Sequence, residues 1–226
     1  MPIYVFADPI CPWCYIGKRR LEAALAQWTQ APAARPARRA AAIAVRWRPY
    51  LLNPAMPAGG MDRAAYLMEK FGASGRATRV SDGIVKAGRD VGLAFALDRI
   101  RRTPATIDCH RAIAFATTRG DAAAFIERLF AAYLCEGRDI GERDELLSIA
   151  TEAGLPIDEL RRYLASDAGY DAVRDSRLSA RALGIHAVPC FVLDGRYAVT
   201  GAQPPEVFLR LFDLLRDGAP IAAAAE

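Results

Sequence analysis

Near its start the chain reads Cys11-Pro12-Trp13-Cys14, two thiols with two residues between them. The apolar run Ile3-Tyr4-Val5-Phe6 precedes the pair, and a helix-like stretch follows it. A helix N-terminus carries unpaired backbone N–H groups and the positive end of the peptide dipole, so it favours an anion. A cysteine there ionises more readily than a free one, and the thiolate is the reactive form. Cys11, nearest the helix end, is the candidate nucleophile. Cys14, one turn further in and less exposed, is the candidate resolving thiol, able to close a disulfide with Cys11. The chemistry expected is thiol–disulfide exchange.

A zinc half-site is the alternative use of two such cysteines. A structural zinc needs four ligands, and the other three cysteines and both histidines lack ligand spacing. Neither a metal nor a bound cofactor is expected beyond the cysteines themselves. Asp8, three residues before Cys11, is expected to stabilise the turn, because a carboxylate beside a thiolate raises the thiol pKa. Cys109, Cys135 and Cys190 are read as core residues, since free cysteine is among the most buried types. A Cys109–Cys135 bridge is not demanded by the spacing. His110 neighbours Cys109 on a helix, where adjacent side chains do not face each other, so it is assigned to helix packing. His186 is read as a loop histidine, with stabilisation of the Cys11 thiolate as the alternative.

These residues need elements to hold them. Ile3–Phe6 reads as a buried strand. Leu21, Leu25 and Trp28 recur at helical spacing, giving a first helix over 12–28 with Pro12 near its start. Residues 31–42 are an Ala/Pro/Arg linker, and 43–50 a second strand closed by Asn53-Pro54. From 57 to 182 helical patterns follow one another: Leu67 with Phe71, then Phe125, Leu129 and Tyr133, then Asp158 and Glu159 ahead of Leu160 and Leu164. Cys190–Leu193, Asp194-Gly195 and Tyr197–Val199 make a hairpin. Pro204 and Pro205 open a last helix with an apolar face of Val207, Leu211 and Leu214, ahead of an alanine-rich, frayed tail from Gly218. The order is βαβ, helices, ββα: a sheet domain of 1–56 and 183–226 with a helical subdomain, 57–182, inserted.

At 226 residues, 53% hydrophobic and 25% charged, the composition is that of an ordinary globular protein. A net charge of +4 with scattered arginines argues against nucleic acid as partner; Arg35-Pro36-Ala37-Arg38-Arg39 reads as a solvated loop. No apolar run spans a bilayer, and Asp8 and Pro9 interrupt any secretory h-region. The expected compartment is the cytoplasm, where a cysteine pair is more often catalytic than structural.

With Cys-Pro-Trp-Cys at its first strand-to-helix turn, this α/β order resembles the thioredoxin fold of DsbA-type proteins, which carries a helical insertion. The similarity extends to the FrnE-like branch through Phe6-Ala7-Asp8, Tyr15-Ile16-Gly17, Tyr50–Pro57, Thr106–Arg111, Glu136–Ile140, Val188-Pro189 and Gly201-Ala202-Gln203. The resemblance implies a dithiol–disulfide oxidoreductase or isomerase acting on protein or small-molecule disulfides. It also implies a cis Val188–Pro189 bond in a loop against the cysteines, whose backbone can pair with an extended substrate. With Pro189 facing the pair, strand alternation turns Cys190 away. Pro12 and Trp13 occupy the positions that set redox poise; DsbA proper has histidine where Trp13 stands, so strongly oxidising behaviour is not implied, and Trp13 is equally a surface contact for substrate. The same architecture resembles 2-hydroxychromene-2-carboxylate isomerases and kappa-class glutathione transferases, which bind glutathione but usually carry serine at the place of Cys11. Glutathione thus stays open as a cosubstrate, a redox sensor is a third reading, and the helical faces leave a homodimer open.

Overall fold

In the computed structural model, residues 1–30, 43–73, 75–120 and 122–217 are described. The Arg35–Arg39 stretch, the linker and the tail from Gly218 lie outside them. A four-stranded sheet has the order β2-β1-β5-β6, built from β1 (Pro2–Ala7), β2 (Ala44–Pro49), β5 (Cys190–Leu193) and β6 (Tyr197–Thr200). β1 runs parallel to β2 and antiparallel to β5, and β6 is antiparallel to β5. Helix α1 (Pro12–Gln30) makes the crossover from β1 to β2, and α9 (Pro205–Asp217) ends the described chain.

Alternation along the strands sends side chains to opposite faces. Ile3 and Val5 pair with Leu193 and Phe191, and all four are fully buried in the main core. On the other face Phe6 pairs with Cys190 and Tyr4 with Val192; Phe6, Cys190 and Val192 meet Ala180 and Ile185. The hairpin turns through Asp194 and Gly195, with φ of 53° and 68°, backbone that Asp tolerates and Gly adopts freely.

Between β2 and β5 lie α2 (Arg63–Phe71), α3 (Arg76–Arg89), α4 (Ile107–Thr117), α5 (Ala123–Leu134), α6 (Arg143–Glu152), α7 (Ile157–Ala165) and α8 (Tyr170–Ala182). Phe125, Leu129 and Tyr133 are buried on α5, and Leu160 and Leu164 on α7. The helical reading of this stretch missed one feature. Two short strands, β3 (Met61–Asp62) and β4 (Arg102–Thr103), pair antiparallel there; each is too short to show an alternating pattern.

Two helix faces also differ from expectation. On α2 the buried residue is Tyr66, while Leu67 and Phe71 are half-buried. On α9 the core face is Phe208 and Phe212 rather than Val207, Leu211 and Leu214. Both α9 registers satisfy helical spacing. The rings decide: Phe208 packs edge-on against Phe191 at 4.9 Å and Phe212 against Trp28 at 5.6 Å, burying the larger side chains.

Candidate active site

Cys11 sits at the mouth of α1. Its amide donates to the Asp8 carbonyl at 3.0 Å, and its own carbonyl accepts from the Cys14 and Tyr15 amides at 3.0 and 3.4 Å. That is the geometry of an N-cap residue, so the sulfur lies at the positive helix end. Pro12 takes the first helical position, where a missing N–H costs nothing. Trp13 is 39% exposed, whereas Cys11 is 5% exposed and Cys14 fully buried. Both are free thiols, as are Cys109, Cys135 and Cys190. Burial pushes the Cys14 thiol well up; the neighbouring Cys11 adds to this and the Asp8 amide opposes it.

The Val188–Pro189 bond is cis. The Cys11 thiol donates to the Val188 carbonyl at 3.8 Å, so the proline loop faces the sulfur across 177 residues of sequence. The Pro189 carbonyl is taken by the Gly201 amide at 2.7 Å, which anchors the loop to β6. Cys190 is turned into the second sheet-face cluster, with the Thr200 hydroxyl 3.9 Å from its sulfur.

Asp8 does more than brace the turn. Its fully buried carboxylate accepts from the Ile10 amide (3.2 Å), the Leu52 amide (2.7 Å) and the Thr106 hydroxyl (3.2 Å). It therefore joins the cysteine turn, the loop after β2 and the start of α4. Desolvation raises its pKa to about 6 against the lowering effect of those donors. Nothing in the spacing marked Leu52 or Thr106 as its partners.

His110 is buried on α4 and bonds the Tyr50 carbonyl through Nε2 at 3.2 Å. A carbonyl only accepts, so Nε2 carries the proton. Burial lowers the His110 pKa to about 4. Cys109, fully buried, donates to the Ile140 carbonyl at 3.2 Å. Cys135 is half-buried at the end of α5, and His186 is exposed. Among the described residues, no three of His, Cys, Asp and Glu group as metal ligands would.

Two features escaped sequence reasoning. Glu127 of α5 accepts from the Tyr15 hydroxyl (2.5 Å), Lys18 Nζ (2.5 Å) and Arg19, which ties the cysteine helix to α5. The second is a cleft of about 400 Å³ after β2, lined by Leu52, Asn53, Met56, Tyr66, Glu69 and Lys70. Lys70 Nζ donates to the Tyr66 hydroxyl at 2.8 Å, and that hydroxyl donates to Asn53 Oδ1 at 3.2 Å. The buried Asn53 Nδ2 has no partner among the described residues. The sequence pointed to this stretch through the Asn53-Pro54 turn and the Tyr50–Pro57 resemblance, without indicating a cleft.

Cys11 thus caps α1 through its backbone, Cys14 follows one turn on, and the carbonyl ahead of the cis proline lies against the Cys11 sulfur. Residues 2–213 match the DSBA-like thioredoxin domain model, and the chain belongs to that family. It is 32% identical to a probable DsbA oxidoreductase from Streptomyces coelicolor, with a TM-score of 0.84 over 100% of this chain and 94% of that one. The cytosolic disulfide reductase DsbM from Pseudomonas aeruginosa, solved with GSH, has the same fold at 21% identity and a TM-score of 0.67, over 96% of this chain and 100% of that one. A 2-hydroxychromene-2-carboxylate isomerase shares the fold at 16% identity and a TM-score of 0.63, over 97% and 100%.

Proposed function

We propose that the protein is a thiol–disulfide oxidoreductase working through Cys11 and Cys14. The observation that carries this reading is Cys11 at the N-cap of α1, with Cys14 one turn behind it. The Cys11 thiolate attacks a substrate disulfide, forming a Cys11–substrate disulfide and expelling the other substrate sulfur as a thiolate, which takes up a proton. Cys14 then gives up its proton and attacks the Cys11 sulfur. The Cys11–Cys14 disulfide forms, the second substrate thiol leaves, and two electrons have passed to the substrate. Two glutathione molecules restore the dithiol and leave as glutathione disulfide; the reverse sequence oxidises a substrate dithiol. Val188 offers backbone to an extended substrate and Trp13 an exposed apolar contact.

A cytoplasmic setting fits the absence, among the described residues, of a helix long and apolar enough to cross a membrane, and it would supply the glutathione. The decisive experiment is turnover of a model disulfide by wild type and Cys11→Ser. The reading requires activity in the first and none in the second, and full activity in Cys11→Ser ends it. Poor cycling by the wild type would favour a redox sensor.

A second reading has one observation behind it. The exposed Lys70, which lines the 400 Å³ cleft, suits the carboxylate of glutathione as a bound cosubstrate, as a glutathione-dependent isomerase or transferase requires. Isomerisation that survives loss of both Cys11 and Cys14 would support it, whereas dependence on the thiols returns the cleft to the first reading.

A further inference from the structure

Gly17 lies inside α1, is buried, and its φ is outside the left-handed region. The backbone there accepts any residue, and a glycine within a helix is less favourable than alanine. What the position demands is room. A Cβ on Gly17 would lie 2.9 Å from Pro189 Cγ and 3.0 Å from Phe191 Cζ. Neither neighbour yields easily. Pro189 is held through its carbonyl by Gly201 and has a closed ring, and Phe191 is fully buried with its ring edge-on to Phe208. The helix and the proline loop therefore meet where the side chain is missing. The same two elements carry the Cys11 sulfur and the Val188 carbonyl, 3.8 Å apart.

We infer that Gly17 is a positioning residue: by letting α1 approach Pro189, it sets the distance between the Cys11 sulfur and the Val188 carbonyl and so the balance between dithiol and disulfide. The inference rests on the exchange reading above. While Cys11 is protonated, as in this structure, the carbonyl accepts its proton; in the disulfide there is no proton to accept, so the contact favours the protonated dithiol over the disulfide. The equilibrium is protein dithiol plus glutathione disulfide against protein disulfide plus two glutathione. A side chain at 17 that pushes the loop outward moves it toward the protein disulfide.

The test measures this equilibrium constant, with urea unfolding alongside, in full-length wild type, Gly17→Ala and Gly88→Ala. Gly88 is the control: it is also buried within a helix, α3, where a Cβ would lie 2.6 Å from the Phe95 ring, which packs on Tyr15 of α1, so the push reaches the cysteine helix but does not act on Pro189. Gly17→Ala is expected to shift the constant toward the disulfide by about three- to tenfold, the worth of one weak hydrogen bond. Gly88→Ala should lose stability and leave the constant unmoved. If Gly17→Ala fails to fold, Gly17→Ala with Phe191→Leu clears the ring, keeps the Pro189 contact and should show the same shift. A folded Gly17 variant with the wild-type constant overturns the inference, as does an equal shift in Gly88→Ala. Wild type that never forms the Cys11–Cys14 disulfide overturns the exchange reading itself, which is a separate result.

Discussion

The Cys11 sulfur and the Val188 carbonyl oxygen lie 3.8 Å apart although 177 residues separate them. One caps the first helix and the other belongs to the loop entering β5, so the contact brings the two ends of the chain together at the reactive atom. Cys14 is fully buried behind it. An incoming disulfide therefore meets Cys11 first.

That order of access predicts what each single variant traps. Cys14→Ser should accumulate a stable disulfide between Cys11 and the substrate, visible as an added mass under non-reducing conditions. Cys11→Ser should accumulate none. Trapping at Cys14 instead would reverse the assigned roles.

Asp8 and His110 should give opposite and nearly cancelling pH dependences of stability. Asp8 titrates near 6 when folded and about 4 when unfolded. The folded state then holds more protons between these values, and stability falls as pH rises through them. His110 titrates near 4 when folded and about 6.5 when unfolded. There the unfolded state holds more protons, and stability rises over the same range. Each contribution is roughly 3 kcal/mol. Urea unfolding from pH 4 to 6.5 should show Asp8→Asn gaining stability relative to wild type as pH rises, and His110→Gln losing it. Wild-type-to-variant differences that stay flat with pH would refute both assignments.

Arg111 should be among the costliest side chains to remove. Its fully buried guanidinium binds Asp108 at 2.7 Å and donates to the carbonyls of Tyr163 (3.0 Å), Leu164 (3.3 Å), Ala168 (2.8 Å) and Ser166. It thereby holds the end of α7 to α4. Arg111→Met strands those acceptors and should lose about 3–5 kcal/mol in urea unfolding. Arg111→Lys should recover little, because one ammonium cannot span the same acceptors. A loss below about 1 kcal/mol, the level of an exposed pair, would contradict this.

Glu127 should matter to the cysteine helix through Lys18, whose side chain is 7% exposed. Glu127→Ala leaves that ammonium with Glu22 alone, at 2.6 Å, and strips the Tyr15 hydroxyl of its acceptor. The expected loss is about 2 kcal/mol or more. Glu127→Ala with Lys18→Met should be more stable than Glu127→Ala alone; a further loss would show that Lys18 is not left uncompensated.

What the residues themselves dictated was local, and the cis Val188–Pro189 loop against the cysteines came from the family resemblance alone. The strand at Ile3–Phe6, the helix opened by Pro12 and the Asp194-Gly195 turn each follow from neighbouring residues, since backbone preference and capping act over one or two turns. The cysteine pair belongs with them: its spacing and its place before a helix put Cys11 at the helix end. Other features depended on which distant groups became neighbours. On α9 two registers fit the helical spacing, and only Phe191 and Trp28 waiting in the core chose Phe208 and Phe212. Asp8 could be placed in its turn, but its titration near 6 comes from complete burial, a property of the whole packed structure. The unpartnered Asn53 amide and the room that Gly17 leaves for Pro189 are likewise long-range facts. Spacing along a chain specifies geometry within a helix or strand; desolvation and close approach between elements arise only when they pack.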